Sequence, residues 1–261
     1  MNSFRSLGSL AAAWIAALVM LTGCATGAGE AAATGADAPA VVLVAGATGG
    51  TGRALVRNLR AQGYEVRALV RDAERARQVL GDAVDYRQGD VRELDVLLPA
   101  MAGVDYVISA IGASQSDPAN GPEAVDYGGV KNLTEAARRS GVQQFVLVSS
   151  AGASQEDHYL NKMFNNVLRW KFKGEEALRN SGLIYTIVRP GGLVNIPGGE
   201  QRLVFAQGDT TSGRISREDV ALICIQALQE PAARNKTFET YSTEEPGNNN
   251  WSAMFAALEQ D

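Results

Sequence analysis

From residue 40 onward the apolar positions fall into short runs, separated by stretches in which they recur at helical spacing. Val41 to Ala45 is an unbroken apolar run of the length of a buried strand, and it enters a glycine-rich turn. Behind the turn, Arg53 to Gln62 carry Ala54, Leu55 and Leu59 on one helical face. The pattern predicts further strands over Glu65–Val70, Val84–Arg87, Val104–Ile111, Phe145–Val148 and Ile184–Val188. Helices are predicted over Glu74–Leu80, Val125–Ser140 and Tyr159–Asn180, the second with Val130, Leu133 and Ala137 turned inward. From Ile215 a helix, a last strand near Thr237–Tyr241 and a helix from Trp251 complete the chain. Such alternation predicts an α/β fold, a doubly wound parallel sheet with helices on both faces, as a single domain over residues 40–261.

With 261 residues, 46% hydrophobic and 20% charged, the chain suits one domain with a substantial core. Its net charge is −5 and no basic cluster interleaves with aromatics, which argues against a nucleic-acid partner. The start of the chain has a different character. Arg5 precedes the apolar run Leu10–Leu21, which is short for a membrane span but suits the core of a signal peptide. Leu21-Thr22-Gly23-Cys24 resembles a bacterial lipobox, which implies a signal peptide over residues 1–23 and lipidation at Cys24. Residues 24–39 then form a flexible linker of small residues. The expected location is an exported, membrane-anchored lipoprotein, in an outer membrane because Ala25 is not the aspartate of inner-membrane retention. An ordinary secretory signal or an uncleaved anchor are the alternatives. Cys224 lies in the apolar stretch Val220–Ile225 and is expected to be a small buried hydrophobe, so no disulfide forms within the domain.

The turn after the first strand reads Gly46-Ala47-Thr48-Gly49-Gly50-Thr51-Gly52, with glycines at every third position. Between a buried strand and a helix N-terminus, it can hold a pyrophosphate. The helix offers free N–H groups and a positive dipole end, and glycine lets the backbone approach. Arg71 ends the second strand about 20 residues further on, where specificity for the adenosine ribose is set. It is either a cation for the 2′-phosphate of NADP, with Arg53 assisting, or a solvated surface charge. Asp72 reads as the N-cap of the next helix. Asp90 follows the third strand and either accepts from an adenine amino group or caps a helix. Small residues at Ser109-Ala110-Ile111 leave room for a cofactor backbone. All these motifs stand at strand carboxyl ends, the ligand edge of a doubly wound sheet.

Six segments together resemble the atypical short-chain dehydrogenases/reductases of the NAD(P)H-binding, NmrA-like branch. They are Gly46–Gly52, Ala68–Asp72, Gly89-Asp90-Val91, Phe145–Ser150, Ser181–Gly191 and Ile215–Ala221. The resemblance implies a Rossmann fold that binds NADP, with NAD second. It places cofactor contacts at Gly46, Thr48, Gly49, Gly50, Thr51, Gly52, Arg53, Arg71, Asp90, Val91, Ala110 and Ile111. The nicotinamide pocket is expected near Ser149, Lys171, Pro190, Gly191 and Gly192. No metal site is expected.

In that family a Tyr-x-x-x-Lys pair on one helix face moves the proton. Here the lysine position is Lys171, but four residues earlier stands Val167, which cannot transfer a proton. Tyr159, three residues before Lys162, is either a substitute or an exposed tyrosine at a helix start. His158 is expected at the surface. The candidate catalytic residues are therefore Ser149, Lys171 and Tyr159. The expected function is an NADP-dependent oxidoreductase of a small planar acceptor of flavin or quinone type, working as a monomer or small homo-oligomer. A non-catalytic dinucleotide-binding sensor or interaction protein is the alternative, and an epimerase of nucleotide sugars the third.

Overall fold

The computed structural model describes residues 38–113, 118–210 and 213–261. The predicted signal peptide, Cys24 and nearly all of the linker lie outside the described residues. The first half of the domain runs β1 (Val41–Ala45), α1 (Gly50–Ala61), β2 (Glu65–Val70), α2 (Ala73–Leu80), β3 (Asp85–Gln88), α3 (Leu94–Met101) and β4 (Tyr106–Ser109). A π-helical segment, Glu123–Gly129, leads directly into α4 (Val130–Arg139) and then β5 (Gln144–Val148). The second half holds α5 (Tyr159–Met163), α6 (Val167–Arg179), β6 (Tyr185–Pro190), β7 (Gly192–Val194), β8 (Gln201–Ala206), β9 (Arg214–Ser216), α7 (Arg217–Gln229), β10 (Lys236–Pro246) and α8 (Trp251–Ala256).

The strands line up in the order β3-β2-β1-β4-β5-β6-β10, all parallel. The order reverses between β1 and β4, which opens a crevice at their carboxyl ends. β1 shows why the sheet is buried on both faces. Val42 and Val44 pack toward α1 and α7, while Leu43 and Ala45 pack toward α3 and α4. An apolar run without polar alternation is the signature of a strand covered on both sides.

The parallel sheet is as predicted, and its far edge is not. β8 and β9 pair antiparallel with β10, and β7 joins β9, so three short strands extend the sheet beyond the last predicted one. Each is three to six residues long and rich in turn residues at its flanks, too short for its period to show in the sequence. α3 also went unpredicted, since Pro99 stands inside it. The helix predicted over 159–180 is broken into α5 and α6 by Asn165 and Asn166, at φ 50° and 58°. Two successive left-handed residues cannot continue a right-handed helix. Asp72 caps α2 as predicted, accepting from the Arg75 N–H at 3.0 Å. Cys224 is fully buried in α7, and burial pushes its thiol pKa up.

Candidate functional site

The β1–α1 turn is built on close backbone approach. A Cβ on Gly52 would stand 2.0 Å from the Gly46 carbonyl oxygen, and one on Gly46, at φ +81°, would stand 2.6 Å from the Ala110 carbonyl oxygen. Glycine is required at both positions, and the turn is thereby pressed against the exit of β4. Gly49 precedes α1 as its N-cap, with extended backbone and no side-chain hydrogen bond capping the first turn. The N–H groups at this helix end are left facing an open cavity, the geometry that binds a phosphate.

That cavity, of about 240 Å³, is lined by Gly46, Thr48, Gly49, Arg71, Asp90, Val91, Ala110, Ile111 and Asn120. The Arg71 guanidinium donates to Asn120 Oδ1 at 3.3 Å. Asp90 is gripped by Arg92, whose Nη2 lies 2.7 Å from Oδ2 and whose backbone N–H donates to Oδ1 at 2.9 Å. The hydrogen bond from Arg92 is the first cause that holds this carboxyl below its usual range. α3 begins at Leu94 with Glu93 as its N-cap, so Asp90 closes a turn and does not cap that helix. Arg53 needs correction. It projects from the outer side of α1 beside Arg57, Arg60 and Leu80, and it does not line this cavity. The residue after the last glycine is already one step around the helix, which turns its side chain away from the turn.

A wider groove of about 1070 Å³ continues past Gly49, Ala110 and Ile111. Gly50, Thr51, Ser149, Tyr159, Lys171, Pro190, Gly191 and Gly192 line it, together with His158 and Arg217. Apart from Arg53 and the buried Gly52, the predicted site residues thus meet along one continuous surface. Their expected roles change in detail. Ser149 is buried, and its hydroxyl donates to Glu175 Oε1 at 2.5 Å. Its proton is committed inward, so toward the groove the oxygen can only accept. Tyr159 is 62% exposed at the groove mouth and stacks on His158 with ring centroids 4.6 Å apart. Lys162, its sequence partner, is exposed and does not line the groove, so the two form no substitute pair there. Val167 opens α6 and faces a neighbouring cavity.

Three charged residues that sequence reasoning passed over complete the site. Asp126 is fully buried in the π-helical segment; it accepts from Lys171 Nζ at 2.6 Å through Oδ1 and from the Ala113 N–H at 3.1 Å through Oδ2. One carboxylate therefore fixes both the lysine and the backbone leaving β4. Glu175 lies beneath Ser149 and takes a two-pronged contact from Arg189, at 3.0 and 2.7 Å. Arg189 also reaches Glu239 at 3.2 Å. Burial penalises the Arg189 charge, yet the bonds from Glu175 and the nearby carboxylates raise its pKa overall. Arg217 lies flat along the glycine turn, where a Cβ on Gly50 would meet its Cδ at 2.5 Å, and its Nη1 donates to Asn195 Oδ1 at 2.8 Å. Only the Ile215-Ser216-Arg217 segment carried a sequence signal; a buried acid on an amphipathic helix reads as one more polar position.

A switch-point crevice, a glycine turn at a helix N-terminus and a cation at the end of β2 define a dinucleotide-binding protein of the Rossmann class. Residues 46–231 match the NAD(P)H-binding family, and the chain belongs to that family. Sanguinarine reductase from Eschscholzia californica is 38% identical over 245 residues, covering 78% of this chain and 89% of that protein. An uncharacterized chloroplastic protein of Arabidopsis thaliana is 36% identical over 231 residues, covering 79% and 71%. A solved structure from Bacillus halodurans, assigned to the NAD-dependent epimerases/dehydratases, superposes with a TM-score of 0.74 at 27% identity, covering 84% of this chain and all of that one.

The chain is thus NAD(P)H-binding and reductase-like. The expected location is corrected: several curated relatives, from Arabidopsis thaliana among other plants, are chloroplastic proteins, which overturns an exported lipoprotein of a bacterial outer membrane. Among the described residues no helix is long and apolar enough to cross a membrane.

Proposed function

We propose that this protein is an NADPH-dependent reductase of a planar acceptor of quinone or flavin type. The observation that carries the reading is the groove itself, which joins the adenosine-side cavity to Ser149 and Lys171 without a proton-donating tyrosine on α6. When bound, the dinucleotide supplies hydride at its nicotinamide, and a quinone or flavin can draw its remaining proton from water. A carbonyl or a sugar alcohol would need the missing phenol.

In this reading the chain's own residues bind and orient. The Gly46–Gly52 turn and the α1 N-terminus hold the pyrophosphate, and Arg71 holds the 2′-phosphate. Lys171, steadied by Asp126, stands where ribose hydroxyls can accept from it. Ser149 accepts a donor hydrogen from the groove, because its own proton is held by Glu175. Val91 and Ile111 give the adenine side its apolar wall.

The test is NADPH oxidation by the purified protein with 1,4-benzoquinone and with free flavin. NADPH and NADH should differ by about tenfold or more in affinity, the equivalent of a charge-assisted phosphate contact of roughly 1.5–3 kcal/mol. Arg71→Ala should erase that difference and leave NADH binding unchanged. Binding without turnover on either acceptor would favour a non-catalytic dinucleotide binder, the second reading, for which the inward commitment of the Ser149 proton speaks.

A further inference from the structure

Beside the groove lies a second cavity of about 770 Å³, which shares Phe164 as a wall. Met163, Phe164, Val167 and Trp170 form one side of it, with Pro122 and Glu123 opposite. Among its described lining residues Glu123 is the charged one and no lysine, arginine or histidine stands, so an anion would be disfavoured there. Met163, with 64% of its surface exposed, gives this wall a flexible thioether.

The wall is held in shape by a sharp turn. Asn165 and Asn166 both take left-handed backbone conformations, which asparagine adopts more readily than most residues other than glycine. The buried Asn161 holds the turn in place. Its amide donates to the Glu156 carbonyl at 3.0 Å, and its Oδ1 accepts from the N–H groups of Leu168 and Arg169 at 3.0 and 3.2 Å. Trp170 is held by two contacts: Tyr127 stacks on it at 6.0 Å and Lys173 lies 4.4 Å from its ring centre. The indole is thus a fixed platform. Val167, a short side chain, lines the cavity next to it.

We propose that this cavity binds the outer rings of a polycyclic aromatic acceptor that carries no anionic group and whose reacting ring lies in the groove. Aromatic rings stack on a braced indole and need no countercharge, and sulfur adjoining them contributes favourable contacts. The proposal rests on the reductase reading for the reacting end of the molecule, and on the cavity alone for the rest.

The probe is 9,10-phenanthrenequinone, titrated calorimetrically into the full chain without cofactor. The wild type should bind it. Val167→Tyr, which puts a phenol ring into the cavity beside Trp170, and Met163→Glu, which adds a second carboxylate to the wall from an exposed position, should each weaken binding about tenfold or more. NADPH affinity in both variants reports that the fold is intact. Failure of the wild type to bind, or wild-type affinity in both variants, overturns the cavity assignment even if 1,4-benzoquinone is reduced. Binding that responds to both variants supports it even if neither quinone is turned over, an outcome that would instead overturn the reductase reading.

Discussion

Lys171 and Asp126 form an unequal pair: their charged atoms are 2.6 Å apart, but the carboxylate is fully buried while the lysine side chain keeps 17% of its surface exposed. Removing either partner therefore has different consequences. Without Asp126 the ammonium can turn to solvent. Without Lys171 the carboxylate stays inside, with the Ala113 N–H as its one remaining hydrogen-bond donor among the described residues.

Lys171→Met should accordingly cost more stability than Asp126→Asn. The first leaves an unpaired buried charge, at about 3–5 kcal/mol. The second loses a charge-assisted bond, at about 1.5–3 kcal/mol. Urea denaturation of the two variants measures the order, and an order reversed would show that the carboxylate is not confined as described.

The two ends of the glycine turn should separate folding from binding. Gly52→Ala drives a Cβ to 2.0 Å from the Gly46 carbonyl, which only movement of the turn relieves, and should cost about 3 kcal/mol or more. Gly49→Ala meets the same oxygen at 3.3 Å with its backbone in an extended conformation at φ −72°, and should cost about 1 kcal/mol or less. Its new methyl group nevertheless stands where the backbone must approach the pyrophosphate. NADPH affinity of Gly49→Ala, measured by calorimetry, should fall at least about tenfold beside nearly unchanged melting.

Glu239 gives the protein a pH dependence of a defined sign. Burial raises its pKa above the usual value of 4.5, so the folded state holds this proton more tightly than the unfolded chain. Its contribution is most favourable below pH 4.5 and declines as pH rises through the raised folded value. Asp90 acts oppositely. Arg92 lowers its pKa from 3.8, so its contribution is present above that value and is lost as pH falls through the lowered one. Subtracting the stability–pH curve of Glu239→Gln from that of the wild type should isolate a term that falls with rising pH; a flat difference would place Glu239 in a more solvated setting.

Local sequence determined the parts of this protein in which a pattern and its cause lie within a few residues of each other. The apolar run of Val41–Ala45, the glycine spacing at 46, 49 and 52, and the Asp72 cap each express steric or hydrogen-bonding needs that are met within one turn or strand. A parallel sheet then followed from alternation, because parallel strands need crossover helices, and the line of strand ends placed Arg71, Ala110, Ser149 and Gly191 on one edge, while the order of the strands came from the tertiary structure. Tertiary structure alone decided which charges face the groove. Arg53 and Arg217 are both arginines at the start of a helix, but one points outward along α1 and the other lies across Gly50. Asp126 and Glu175 are acids on amphipathic helices, indistinguishable in sequence from solvated ones; Lys171 is 45 residues from the first, and Arg189 is 14 from the second. Burying a carboxylate is tolerable only when a cation meets it; Glu175 has a local one in Arg179, four residues on at 2.8 Å, but Lys171 for Asp126 and Arg189 for Glu175 arrive from other elements through packing that no local pattern shows.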